Sequence, residues 1–151
     1  MQKTKAVIFD LDGTLFDLAP LVRSARRRVA RLLHSGGFFA SERYALKRIN
    51  DLERRHGPYY SSSPYYFAFY DIAKSLCKAK PDVCELFFSD RKLGRRESDS
   101  DRVESFVRIL EQEYNQQDVE TIAPYPDAAQ TLGELKAAGC KLILLSLGRP
   151  E

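Results

Sequence analysis

Two aspartates near the N-terminus are the residues whose types and spacing could do chemistry. Asp10 and Asp12 follow the apolar run 6–9. Gly13 and Thr14 come directly after them and indicate a turn. A short apolar run that ends in such a turn predicts a buried strand of a parallel sheet. The carboxyl end of a strand is where open α/β sheets bind their ligands. The two carboxylates therefore mark the candidate site of this chain.

The relation between the two aspartates depends on where the strand ends. In an unbroken strand, residues at i and i+2 point to the same side, so Asp10 and Asp12 would share one face. If the chain begins to turn at Leu11, the two carboxylates can take different roles. Gly13 permits backbone angles that other residues avoid, and Thr14 offers a hydroxyl that can tie the turn.

Residues 9–15, with the sequence FDLDGTL, resemble the first signature of the haloacid dehalogenase (HAD) superfamily. Residues 124–146, which begin PYPD and end LLS, resemble the run of that family into its second signature. In the family, a Ser or Thr at this second strand end binds the transferred phosphoryl group. The resemblance thus implies that Ser146, the adjoining Leu147 and Thr14 form the phosphate-binding part of the site.

The resemblance also implies the chemistry of a phosphohydrolase that acts on a small phosphorylated metabolite. Asp10 would attack phosphorus and form an aspartyl-phosphate. Asp12 would protonate the leaving oxygen and then deprotonate the attacking water. Both aspartates are the predicted Mg²⁺ ligands, because two carboxylates would repel a phosphate unless a cation lay between them. Relatives that cleave carbon–halogen bonds lack the second aspartate, so Asp12 favours phosphate chemistry.

The family completes its site with a Lys and further acids that follow the second signature. This sequence has only five residues after Ser146. We therefore expect an N-terminal portion of a longer chain, with no complete catalyst in these residues alone. A split enzyme, whose second half comes from another chain, is the other explanation. Two further functions stay open: a non-catalytic phosphate-binding or regulatory module, and a phosphomutase relative.

The fold that the resemblance implies is an α/β, HAD-like Rossmannoid core with an inserted helical cap. Residues 1–17 and 122–151 are predicted to form the core, of which only the first strands are present. Residues 18–121 are predicted to form the cap, so the chain should be mostly helical. Apolar residues at helical spacing predict helices near 20–35, 41–56, 67–79, 98–114 and 128–138, a short helix or turn at 83–88, and a second buried strand at 142–145.

Composition and charge describe a soluble globular protein, with 44% apolar and 30% charged residues. No apolar run is long enough for a membrane span, and the N-terminus lacks the apolar segment of a signal peptide. A net charge of +3 is too small to indicate nucleic-acid binding. We therefore expect a cytoplasmic protein that binds a small molecule. An incomplete sheet would also expose apolar surface and favour self-association.

Three local patterns have both a structural and a functional interpretation. Cys77, Cys84 and Cys140 form no Cys-x-x-Cys pair, so free thiols are expected rather than disulfides or a zinc site. The arginines of segment 23–31 predict a solvated helix face, with attraction of an anionic substrate as the alternative. The acids of segment 98–101 predict a helix cap rather than a metal site, since no apolar strand precedes them.

Overall fold

The computed structural model describes residues 5–56, 65–89, 98–116 and 122–145. The chain divides into a sheet unit, Met1–Arg23 with Asp118–Glu151, and a helical unit, Ser24–Gln117. The predicted α/β class, mostly helical with a small parallel sheet, is confirmed. The elements are β1 (Ala6–Asp10), β2 (Phe16–Asp17), α1 (Ala19–Ser35), α2 (Glu42–His56), α3 (Tyr66–Ala79), α4 (Pro81–Ser89), α5 (Asp99–Asn115), β3 (Ala123–Pro124), α6 (Ala128–Ala137) and β4 (Lys141–Leu145).

The sheet unit contains two small ladders. Strands β1 and β4 are parallel, and their register runs from Ala6 opposite Lys141 to Asp10 opposite Leu145. Strands β2 and β3 are antiparallel and pair over two residues each. Helix α6 leads directly into β4, which is the helix-to-strand order of a parallel α/β unit. Both predicted strands therefore form and pair as expected.

The parallel pair is more exposed than its apolar sequence predicts. Residues that are half-buried alternate along β1 with residues that are exposed, and Ile8 keeps 63% of its surface accessible. On β4, Ile143 lies opposite Ile8 and keeps 38%. The prediction of buried strands was therefore wrong for this face. The physical reason is that the described residues leave the face that carries Ile8 and Ile143 uncovered.

The helical unit has one apolar core to which α1 to α5 all contribute. Its centre is aromatic: the ring of Phe106 lies 5.0 Å from that of Phe38 and 4.9 Å from that of Phe87, measured between centroids. Each fully buried side chain of this size contributes about 2 kcal/mol through removal of apolar surface from water. On α3, Phe69 is fully buried whereas Phe67 is 47% exposed, so the buried face of this helix passes through Phe69.

Polar caps fix where two of these helices begin. The hydroxyl of Ser41 accepts the N–H of Tyr44 (3.2 Å) at the start of α2. Before α5, Ser98 and Asp101 form a reciprocal capping box: Asp101 N–H donates to Ser98 Oγ, and Ser98 N–H donates to Asp101 Oδ2. The hydrogen bonds from Ser98 hold the pKa of Asp101 below its usual value. The acids of segment 98–101 thus serve as a cap, as predicted.

The cysteines differ from the prediction. Cys77 in α3 and Cys84 in α4 form a disulfide, and Cys140 is free. Helix α3 ends at Ala79 and α4 begins at Pro81, so the chain changes direction between the two cysteines. This brings their Cα atoms to within 5.4 Å of each other, a distance that spacing along the sequence does not reveal.

Within the described residues, no helix combines the length and apolar character that a bilayer span requires.

Candidate active site

The two aspartates occupy different backbone settings. Asp10 is the last residue of β1, and Asp12 lies two residues into the turn that follows. The N–H of Leu11 donates to Oδ1 of Asp10 (2.9 Å), which orients that carboxylate and leaves Oδ2 without this bond. Both aspartates are exposed. The strand therefore ends before Asp12, and of the two predicted arrangements the chain adopts the one in which it turns at Leu11.

Backbone hydrogen bonds close the turn. The N–H of Gly13 donates to the carbonyl of Phe16 (3.0 Å), and the N–H of Leu15 donates to the carbonyl of Leu11 (3.0 Å). Gly13 has φ +76°, a conformation that costs other residues about 1 kcal/mol or more. Thr14 is exposed, and its hydroxyl forms no hydrogen bond with the described residues, so the expected tie through this side chain is absent. The backbone performs that task instead.

The β2–β3 ladder supports the far side of this turn. Phe16 pairs with Pro124, and the N–H of Tyr125 donates to the carbonyl of Leu15 (3.0 Å). Oδ1 of Asp17 accepts the N–H of Ala19 (2.9 Å), where α1 begins. This pairing was not predicted from the sequence. Two-residue strands are too short to show alternation, and the prolines at 124 and 126 were the one available signal.

The register of the parallel strands bears on the phosphate-binding prediction. Leu145 lies opposite Asp10, and both residues are at the carboxyl ends of their strands. Because parallel strands end at the same edge of a sheet, Leu145 lies at the edge where Asp10 lies. Ser146 and Leu147 themselves lie outside the described residues, so their role stays a prediction.

Lys5 and Lys141 lie at the other end of the strands. Lys141 begins β4 opposite Ala6, and its N–H donates to the carbonyl of Lys5 (2.8 Å). Four residues of extended chain separate this level from Asp10, a distance of about 13 Å at 3.3 Å per residue. Neither Lys5 nor Lys141 is therefore placed to neutralise a phosphate beside Asp10.

The two aspartates fit part of a magnesium site. Carboxylate oxygens are hard ligands, and Mg²⁺ binds through one or two of them, with water and phosphate oxygens completing its shell. Among the residues that the structure describes, no group of three or more His, Cys, Asp or Glu side chains could hold a metal. The chemistry of Asp10 and Asp12 thus suits Mg²⁺ bound together with a phosphate rather than a metal caged by protein alone.

A parallel strand pair with an aspartate at its carboxyl edge and a second in the following turn defines an α/β protein with an acidic site. A family model of haloacid dehalogenase-like hydrolases matches residues 4–151, and the chain belongs to this family. The predicted resemblance to the HAD superfamily and the predicted enzyme class, a hydrolase, are thereby confirmed.

Solved structures similar to the chain include the crystal structure of a predicted phosphoglycolate phosphatase from Haemophilus somnus 129PT. The two sequences are 21% identical, with a TM-score of 0.43. The match covers 97% of this chain and 52% of the other, so this chain spans about half the length of that protein. No curated protein matches the sequence.

Proposed function

We propose that the chain carries the nucleophile and the acid–base residue of a phosphohydrolase that acts on a small phosphorylated metabolite and requires Mg²⁺. Family membership supports hydrolysis. The single observation that carries the proposal is the placement of Asp10 at the carboxyl end of β1, with Asp12 in the closed turn beyond it. The presence of the second aspartate favours phosphate over halide as the group transferred.

The proposed reaction has two steps. In the first, a carboxylate oxygen of Asp10 bonds to phosphorus, the bond from phosphorus to the ester oxygen breaks, and Asp12 gives that oxygen its proton. In the second, Asp12 takes a proton from water, whose oxygen bonds to phosphorus and releases phosphate from Asp10. The hydrogen bond from Leu11 to Oδ1 of Asp10 supports this role, because it holds the carboxylate with Oδ2 available for attack.

The remaining parts of the site are proposed around these two residues. Asp10 and Asp12 would hold Mg²⁺, which when bound offsets the charge of carboxylates and phosphate. The hydroxyl of Ser146 and the backbone N–H of Leu147 would bind phosphoryl oxygens, a role supported by the position of Leu145 opposite Asp10. The hydroxyl of Thr14 would be a second phosphate-binding group, since this side chain is exposed and not used by the turn.

The helical unit is proposed to be the cap, as the assignment of residues 18–121 predicts. Support comes from chain order, because this unit is inserted between β2 and β3, which pair with each other. The positions of Lys5 and Lys141 support the further proposal that a charge-neutralising Lys and additional acids come from a C-terminal portion or from a partner chain. A phosphorylated metabolite as substrate favours the cytoplasm as the location.

The decisive experiment is Asp10→Asn in the complete protein, assayed with p-nitrophenyl phosphate and Mg²⁺. We expect turnover to fall below detection, because an amide cannot replace the carboxylate as nucleophile. Asp127→Asn is the matched control: Asp127 is an exposed aspartate of the same unit whose side chain makes no cap hydrogen bond, so its turnover should stay within about twofold. Activity retained by the Asp10 variant would rule out the proposal.

A non-catalytic phosphate-binding module is the second candidate. The placement of Lys5 and Lys141 away from Asp10 favours it, since neither lysine is positioned to stabilise a transition state there. Calorimetric binding of phosphate by the complete protein, with no turnover of any of several phosphate esters, would establish this candidate in place of the hydrolase.

A further inference from the structure

Helices α3, α4 and α5 surround a cavity within the helical unit. Its volume is about 430 Å³, which is in the range of small-molecule sites. The apolar part of its lining includes Tyr70, Val103 and the Cys77–Cys84 disulfide, which joins two of the three helices. The cavity shares no residue with the turn that carries the catalytic aspartates.

The charged part of the lining is predominantly positive. Lys74 and Lys78 come from α3 and Arg102 from α5, against the single carboxylate of Asp99. Within the described parts of the chain, none of the three cations forms an ion pair. Nζ of Lys74 lies 5.9 Å from the ring centroid of Tyr70, close enough for a cation–π contact. Positive side chains that form no ion pair with the described residues therefore lie beside an aromatic and apolar wall.

We propose that this cavity binds a small organic anion with a flat, apolar body and a carboxylate, sulfonate or phosphate group. The body would pack against Tyr70 and Val103, and the anionic group would pair with Lys78 and Arg102. An anionic ligand would be attracted by these cations, and a cationic ligand would be repelled by them. The site is a second ligand site of the protein, and it does not rest on the function proposed for the aspartates.

The test uses 2-naphthalenesulfonate, which combines a flat apolar body with an anion that a phosphatase cannot hydrolyse. Binding to the complete protein is measured by calorimetry without Mg²⁺. We expect Lys78→Gln and Arg102→Gln each to weaken binding about two- to fivefold, the effect of one partly exposed charge pair. Asp99→Asn should strengthen binding by a similar factor, because it removes the one negative charge in the lining.

Two controls separate this site from others. Lys47→Gln removes an exposed lysine of α2 that does not line the cavity, and it should leave the dissociation constant unchanged. Asp10→Asn should also leave it unchanged, which shows that the probe does not occupy the aspartate site. Thermal unfolding of each variant verifies that it is folded.

Four outcomes would overturn the proposal. These are no binding of the probe, an equal loss in the Lys47 variant, a loss in the Asp10 variant, or equally tight binding of the neutral 2-naphthalenesulfonamide. The opposite signs expected for Asp99 and for the two cations make the test independent of a general change in stability.

Discussion

Asp12 has a role in the proposed reaction that a choice of substrates can isolate. An alkoxide leaving group needs a proton, whereas p-nitrophenolate leaves readily without one. Asp12→Asn in the complete protein should therefore lower kcat for an alkyl phosphate by about 10²- to 10⁴-fold and lower it much less for p-nitrophenyl phosphate. Steady-state kinetics on both substrates measures the difference. Equal losses on the two substrates would contradict acid–base catalysis by this residue.

Gly13 contributes to the site through its backbone conformation. With φ +76° and no atom within 4 Å of the position that a Cβ would take, the cost of Gly13→Ala should come from the backbone alone, at about 1 kcal/mol of unfolding free energy. Gly133, inside α6, also has open space around that position, so Gly133→Ala should stabilise by about 0.5–1 kcal/mol. Denaturant unfolding compares the two, and a gain in the Gly13 variant would show that the turn is not constrained as described.

At the residue scale, the sequence alone predicted a turn that carries two aspartates, but not the hydrogen bonds that stabilise this turn. Asp10, Asp12 and Gly13 are recognisable because a short motif follows an apolar run. The hydrogen bonds that close the turn are between backbone atoms, so no side-chain pattern reveals them, and the hydroxyl of Thr14 is not used for this purpose. The Cys77–Cys84 bridge was missed because it depends on a change of direction between two helices.

At the scale of elements, two ion pairs of the helical unit offer a matched comparison. Arg26 of α1 pairs with Glu53 of α2 at 2.6 Å, and the Glu53 side chain is only 10% exposed. Burial raises the pKa of Glu53 more than the charge and hydrogen bond of Arg26 lower it. Arg31 and Glu42 form a looser pair at 3.5 Å, with side chains 67% and 48% exposed.

Removal of one partner should therefore have unequal effects on stability. Glu53→Ala leaves Arg26 half-buried without a counter-charge and should cost about 2 kcal/mol of unfolding free energy. Glu42→Ala breaks an exposed pair and should cost less than about 1 kcal/mol. Denaturant unfolding of both variants at neutral pH measures this. Similar losses would mean that burial does not distinguish the two pairs.

Arginine side chains of α1 show why helix periodicity predicts elements better than their contacts. Arg28 donates to the carbonyls of Glu113 and Tyr114 (both 3.3 Å) and to that of Gln116 at the end of α5. It thus satisfies helix-terminal acceptors, a task that the pattern of charges on α1 does not reveal. The helices themselves were predictable because their apolar stripes repeat over many residues, whereas β2 and β3 are too short for any repeat.

At the scale of the whole molecule, the bare face of the parallel strands predicts how this chain behaves by itself. Ile8 and Ile143 lie opposite each other on that face, and contiguous apolar surface favours association. In the 151-residue chain, Ile8→Thr combined with Ile143→Thr should lower the apparent mass in light scattering. Leu86→Thr, at a 65% exposed leucine of α4, is the control and should change nothing. An unchanged mass in the double variant would exclude this face as the cause.

The family and the α/β class could be predicted from two motifs, because they depend on local order along the chain. Exposure of the sheet could not, since burial of a strand depends on what the rest of the protein supplies to each face. For the same reason, the placement of Lys5 and Lys141 became clear only from the register with β1. Residue type indicated a cation in each case, but strand pairing decides at which end of the sheet it lies.

The two-residue β2–β3 ladder joins the two ends of the segment between residues 18 and 122. The pairing of β2 with β3 fixes both ends of that long insertion beside the aspartate turn. The interactions of the sheet unit therefore offset the entropic cost of closing this loop. This entropy grows only with the logarithm of loop length, and doubling the insertion would cost about 0.6 kcal/mol. Helical units of very different size could thus be inserted between β2 and β3 at little entropic cost, with no change in the turn that carries Asp10 and Asp12.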